Sequence, residues 1–178
     1  YKKEIIKKYF NNYKKNGIPF ECKIFKKKCK ITLVDTGNKT LTGGRLKRIK
    51  KFLPDGENFM FTYGDGISDI NIKKLLKFHL KRKKLITVTA VRPPARFGEI
   101  VLRKKAVIGF KEKPQVNESF INGGFFVLSP KVLERITGDD CVWEHGPLRG
   151  LSNDGNLMAY AHKGFWQPMD TVRETNYL

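Results

Sequence analysis

The chain has 178 residues, with 36 Lys plus Arg against 17 Asp plus Glu and a formal charge of +19. With 40% hydrophobic and 12% aromatic residues, it can bury a core, which excludes a disordered or collagen-like chain; no apolar run approaches the roughly 18 residues of a membrane span. The Cys22 to Cys29 gap, with Cys141 far away, matches neither a zinc pair nor a disulfide framework, so reduced cytoplasmic thiols are expected. The opening at Tyr1 carries no Met and no signal core, so we expect a soluble, non-secreted protein whose true beginning is missing.

In chain order, Tyr1 to Lys15 has apolar side chains at helical spacing (Ile5, Ile6, Tyr9, Phe10, Tyr13) and predicts an amphipathic helix closed by Asn16-Gly17. Strands are expected at Cys22 to Phe25 and Ile31 to Val34. Thr42 is the expected cap of a helix over Gly43 to Phe52. Asn58 to Tyr63 reads as a strand buried on both faces, followed at once by Gly64-Asp65-Gly66. A helix over 70–81, capped by Ser68 or Asp69, and a strand over 85–91 complete a strand-helix-strand crossover. Beyond Pro93-Pro94 shorter strands (99–102, 106–111, 124–128) predict an antiparallel addition. Helices over 130–136 and 143–151 and a strand over 157–161 follow. No repeat or linker interrupts the chain, so one α/β domain over 1–178 is expected.

The charge is uneven, since residues 1–50 hold 16 basic and 3 acidic side chains. A polyanion would be held by such a stripe, yet Lys outnumbers Arg about threefold, and Lys lacks the planar fork that base reading favours. Nucleic acid is therefore not the expected partner; a non-catalytic module holding nucleic acid or an acidic partner through this stripe is the rival reading.

Three local constellations have chemical potential. Tyr63-Gly64-Asp65-Gly66 follows a strand end, where ligands of open α/β sheets gather; it is either a plain turn or a loop whose Asp65 holds Mg²⁺ beside substrate phosphates. Thr36 to Arg45 sets hydroxyls, glycines and Arg45 ahead of helix amides that attract anions; a capped helix with surface hydroxyls is the alternative. In Gly164 to Thr171, Asp170 is either a helix cap or a second metal ligand opposite Asp65. Lys113 could pair with a phosphate and Glu112 or Asn122 with sugar hydroxyls, or these positions are an exposed strand end and a glycine-permitted bend. His79, His145 and His162 show no metal spacing, and no Ser, His and Asp arrangement argues for covalent hydrolysis.

Read in order, Leu33-Val34-Asp35-Thr36-Gly37, Thr42 to Arg48 (TGGRLKR), Phe61 to Gly66 (FTYGDG), Arg96-Phe97-Gly98, Lys111 to Pro114 (KEKP), Ile121 to Leu128 (INGGFFVL) and Gly164 to Thr171 (GFWQPMDT) resemble the glucose-1-phosphate cytidylyltransferase family of sugar-nucleotide pyrophosphorylases. The resemblance covers essentially the whole chain. It implies a Rossmann-like nucleotide-diphospho-sugar transferase fold, with a mixed, mostly parallel sheet and helices on both sides, lacking its first strands. It implies transfer of CMP from CTP to α-D-glucose 1-phosphate, giving CDP-glucose and pyrophosphate. Asp65 and Asp170 match the family's Mg²⁺ ligands, and Thr40, Arg45 and the backbone of Gly64 match substrate-binding positions. Glu112, Lys113, Asn122 and Gly123 would face the sugar phosphate. A cytoplasmic homo-oligomer serving lipopolysaccharide O-antigen synthesis is implied as well. The chain departs from the family in lacking its initial strand and GGxGTRL loop, and in carrying Gly146 where a second acidic residue is usual.

Overall fold

The computed structural model describes residues 2–10, 12–93, 99–111 and 119–178. The chain's contacts divide it into two compact units, Tyr1–Leu53 with Leu133–Pro147 and Pro54–Val132 with Leu148–Leu178.

In the first unit, helix α1 spans only Lys3–Tyr9 and buries no residue, far short of the expected fifteen. Its backbone leaves the helix at Phe10 (φ −96°, ψ 92°), whose ring packs edge-on against Phe20 at 5.7 Å. Asn12 then donates to the Glu21 carbonyl at 2.9 Å; ring packing and this bond outweigh helical continuation, which gains little without a buried face. Strands β1 (Phe20–Ile24) and β2 (Lys27–Ile31) form an antiparallel hairpin in which Cys22 stands directly opposite Cys29. Its two turn residues, Phe25 and Lys26, both have positive φ (46° and 65°), the mirror-image turn that matches strand twist. That turn fixes the register, and β2 ends with its partner strand at Ile31 instead of running over 31–34.

Helix α2 (Thr42–Arg48) is followed by a 3₁₀ turn, Lys50–Phe52. Thr42, expected as the cap, is the first helical residue; its hydroxyl accepts from the Trp143 amide (2.9 Å) and donates to Glu144 (3.2 Å). Gly43 and Gly44 let α2 lie directly on the 139–141 backbone: a Cβ on Gly44 would stand 2.7 Å from both Cα and O of Asp139. Leu46, Leu133, Ile136, Cys141 and the fully buried Trp143 are buried hydrophobic residues of this unit.

The second unit contains β3 (Phe59–Thr62), β4 (Gly66–Ser68), α3 (Ile72–Arg82), β5 (Ile86–Val91), β6 (Glu99–Arg103), β7 (Ala106–Lys111), β8 (Ile121–Leu128), α4 (Arg149–Asn153), β9 (Leu157–Ala161), β10 (Trp166–Pro168) and α5 (Val172–Tyr177). Its central sheet has the order β3-β8-β5-β9. β8 is antiparallel to both β3 and β5, and β5 is parallel to β9, so three strands point one way and the inserted β8 the other. This is the mixed α/β sheet the sequence predicts. The crossover β3-α3-β5 is present but skips one place in the sheet. β3 is correspondingly an edge strand among the described residues, not a strand buried on both faces: Phe59 is buried while Met60 is 45% exposed. Of the expected antiparallel addition, β6 and β7 pair as a separate hairpin, whereas the strand over 124–128 is part of β8 (Ile121–Leu128) and lies inside the central sheet.

Helix α3 takes its cap from Asn71, which accepts the Lys74 amide at 3.0 Å, in place of Ser68 or Asp69. Leu75 packs with Ile70 and Val127, and Leu76, Phe125 and Tyr160 close around them. The expected helix over 130–136 is 3₁₀ (Pro130–Arg135). The one over 143–151 splits into a π-helical turn, Glu144–Leu148, and α4, because Pro147 has no N–H to continue the ladder.

Candidate active site

The acidic cleft of the second unit is built where two very short strands meet. β4 and β10 pair antiparallel, with Pro168 opposite Gly66, and the Met169 amide donates to the Asp65 carbonyl at 2.7 Å. This ribbon brings Asp65 and Asp170, 105 positions apart in the chain, into the lining of one cleft of about 200 Å³, with Tyr63, Asn122, Gly123 and Trp166. Both carboxylates are exposed, and neither has a hydrogen bond or ion pair among the described residues. Asp170 does not cap α5: Thr171 does, in a reciprocal capping box with Glu174.

The opposite wall is β8, and glycine shapes it twice. A Cβ on Gly123 would stand 2.8 Å from Val91 Cγ1 and 3.0 Å from the Thr89 carbonyl, so β8 can approach β5 closely where the ladder shifts between Val88 and Ala90. Gly124 has φ +76°, and a Cβ there would meet the Tyr63 ring at 2.8 Å. Asn122 sits in front of this bend with both ends of its amide engaged. Its Oδ1 accepts the Gly124 amide (2.9 Å) and its Nδ2 donates to the Tyr63 hydroxyl (3.3 Å). Trp166 joins the two walls, its indole N–H donating to the Gly123 carbonyl at 2.8 Å. No local pattern in the sequence marks this role of Trp166; the register of β10 on β4 turns it toward β8.

Behind the ribbon, His162 Nε2 lies 2.8 Å from Asp69 Oδ1 and 3.3 Å from Ser68 Oγ. Ser68 donates instead to the Phe165 carbonyl at 2.7 Å. A relay from hydroxyl to carboxylate needs both ring nitrogens; here serine and aspartate meet the same one, so the cluster braces β4 against the 162–165 turn.

The fit of a divalent cation follows from the donor set. Among the described residues, the only carboxylates lining the cleft are Asp65 and Asp170, and no basic side chain lines it; no group of three or more His, Cys, Asp or Glu side chains could hold a metal. Two carboxylates repel a phosphate unless a cation stands between. Mg²⁺ is the hard ion bound through one or two carboxylates with substrate phosphates completing its shell, so the residues present fit it.

Thr40 and Arg45 belong to the first unit. Thr40 lines an open cleft of about 460 Å³ with Gly37, Asn38, Lys39, Arg48 and Asp139, but is itself 4% exposed. Arg45 donates to the Thr36 hydroxyl at 2.7 Å. The amides at the start of α2, expected to attract an anion, are spent on protein: Gly43 and Gly44 donate to the Cys141 carbonyl at 2.9 and 3.3 Å. Arg48 grips Asp139 through Nε (2.8 Å) and Nη2 and donates to the Thr36 carbonyl at 3.0 Å. This pairing holds the Asp139 carboxyl below the usual range and the guanidinium above its own. Gly64 is exposed, with open space where a Cβ would stand, while Glu112 and Lys113 lie outside the described residues.

A sequence model of the nucleotidyl transferase family matches residues 1–149. The chain is 45% identical over 188 aligned positions to the glucose-1-phosphate cytidylyltransferase of Salmonella typhimurium, covering all of this chain and 73% of that one. It is 37% identical to a probable glucose-1-phosphate cytidylyltransferase of Bacillus subtilis, over 97% of this chain and 71% of the relative. Among solved structures, a putative glucose-1-phosphate thymidylyltransferase from Bacillus anthracis superposes with a TM-score of 0.59 at 17% identity, and HddC from Yersinia pseudotuberculosis with 0.58 at 18%. Each alignment covers 82% of this chain, and 63% and 64% of the solved chains; at this identity they establish the fold. The chain belongs to the nucleotidyl transferase family and, within it, to the glucose-1-phosphate cytidylyltransferases.

Proposed function

We propose that this chain holds the metal-binding and sugar-phosphate-binding parts of an enzyme that transfers CMP from CTP to α-D-glucose 1-phosphate. The observation that carries the reading is the 45% identity to the Salmonella enzyme across the whole chain. In the reaction, a phosphate oxygen of the sugar attacks the α-phosphorus of CTP in line. The bond from that phosphorus to the bridging oxygen breaks, pyrophosphate leaves, and CDP-glucose forms. Little covalent work falls to the protein, so its task is to position the two phosphates and offset their charge.

Asp65 and Asp170 are the residues that would hold Mg²⁺, which when bound neutralises phosphate charge in the cleft. Asn122, with its amide fixed by Tyr63 and Gly124, keeps the β8 bend in shape, and Gly123 lets that wall lie close on β5; that both face the sugar phosphate rests on the family resemblance. Thr40, Arg45 and Gly64 act as substrate-binding positions, and Glu112 and Lys113 as further contacts to the sugar phosphate; these roles rest on the family resemblance. A cytoplasmic homo-oligomer whose product serves surface polysaccharide rests on it too. Among the described residues no helix is long and apolar enough to cross a membrane.

The test is pyrophosphate release from nucleoside triphosphate, glucose 1-phosphate and Mg²⁺, by this chain and by a fusion carrying the N-terminal part of the Salmonella relative ahead of Tyr1. Release by the fusion with CTP preferred is the expected result. Equal or better release with another triphosphate, or none from a folded fusion, overturns the proposal. In the active form, Asp65→Asn and Asp170→Asn each reduce kcat about 10²- to 10³-fold. Because both carboxylates are exposed and have no bond among the described residues, the unfolding free energy measured in urea stays within about 0.5 kcal/mol of the parent.

A further inference from the structure

We propose that Cys22 and Cys29 form a dithiol site that closes to an intrachain disulfide by exchange with an anionic low-molecular-weight disulfide of the glutathione class. The proposal is independent of the transfer reaction. It starts from the hairpin register, which the Phe25-Lys26 turn fixes and which sets the two cysteines directly opposite each other on β1 and β2. Opposed residues of an antiparallel ladder have Cα atoms about 4.5–5.5 Å apart, inside the roughly 4.4–6.8 Å that a disulfide spans. Both side chains therefore lie on the same face of the hairpin, together with Phe20, Ile24 and Ile31.

Access and charge complete the site. Both cysteines are half-buried and free, in contrast to the buried Cys141. Cys22 lines an open cleft of about 540 Å³ with Tyr9, Phe10, Asn12 and Phe25, which leaves its sulfur open to small molecules in solution. Five lysines of the hairpin (Lys23, Lys26, Lys27, Lys28, Lys30) attract an anionic reagent. Cys29 directs its S–H to the Lys27 carbonyl at 3.6 Å, a weak contact that one χ1 rotation releases.

The step balances as ordinary exchange. One cysteine thiolate attacks a sulfur of the small disulfide, expelling one small thiolate and leaving a mixed disulfide. The opposed cysteine thiolate attacks the protein sulfur of that bond and expels the second. Two protein S–H groups are oxidised to one S–S bond, and one small disulfide is reduced to two thiols, which take up the two protons.

The test treats the reduced, folded chain with glutathione disulfide and follows intact mass and alkylation. The expected product has lost two hydrogens, carries no glutathionyl group, and shows one alkylatable thiol after denaturation in place of three; dithiothreitol restores all three. Four lysines separate the cysteines, so trypsin should release two peptides still joined through Cys22 and Cys29. Cys22→Ser and Cys29→Ser should each stop at a stable glutathionyl adduct on the remaining hairpin cysteine. Three alkylatable thiols after treatment, glutathionyl adducts accumulating in the parent chain, or a link involving Cys141 would each overturn the proposal.

Discussion

Trp166 shows how much a single donor can decide in the acidic cleft. Its indole N–H is the bond that ties the ribbon carrying Asp65 and Asp170 to the β8 wall. Trp166→Phe keeps an aromatic ring but removes that donor and part of the indole's packing, so it should cost about 1–3 kcal/mol of stability. In the active form it should raise the KM for glucose 1-phosphate or the Mg²⁺ requirement more than it lowers kcat; steady-state titration of each component separates these. His79 makes a prediction of a different kind. It is 2% exposed, with Nδ1 3.0 Å from the Thr87 hydroxyl, and burial holds its pKa below the ordinary value. The unfolded chain therefore takes up this proton first as pH falls below about 6.5. The neutral-histidine contribution is complete above that pH and is lost on descending toward the folded-state pKa. His79→Leu should flatten the fall in Tm between about pH 7 and pH 5, whereas Asp35 and Asp139, lowered by Lys3 and Arg48, act further into the acid range.

At the scale of elements, α2 depends on two glycines for closeness and not for flexibility. Gly44→Ala drives a methyl into the Asp139 backbone, which cannot yield as a side-chain tip would. We expect a loss of about 1–3 kcal/mol, measured by urea denaturation, with Gly150→Ala, where nothing stands within 4 Å, as the tolerated control. The same elements show what is legible in a sequence. β5, β7 and β9 follow from their apolar runs almost to the residue, because their partners supply what the local pattern demands. β4 and β10 are three residues each, too short to display a period, and exist only because distant segments pair. The cap of α3 fell to Asn71 and not to Ser68 or Asp69 because those two side chains are engaged with the 162–165 turn. Asp65 and Asp170 could be singled out from GDG and PMDT, but their meeting could not: it depends on a register 100 positions wide. The Cys22-Cys29 spacing fits no cysteine motif, and acquires meaning only once a two-residue turn folds the strands back.

For the whole molecule, the +19 charge is a long-range property without a recognition geometry behind it. In the first unit Arg48 is committed to Asp139, and Arg45 is tied on one side to the Thr36 hydroxyl, which leaves no array of free forks for reading bases. Retention on DNA or heparin at low ionic strength should therefore be non-specific and should fall steeply by about 0.2 M salt. Competition between unrelated DNA sequences checks this, and a marked preference for one sequence would revive the nucleic-acid reading. The strand order has a consequence for synthesis on the ribosome. Of the strands of the central sheet, β3 emerges first and β5 some thirty residues later, yet among the described residues neither has a sheet neighbour until β8, ending at Leu128, slots between them, and the far flank of β5 waits for Ala161. Two apolar strands thus leave the exit tunnel before anything can zip them together, a delay in which a nascent chain of high contact order is most exposed to wrong partners.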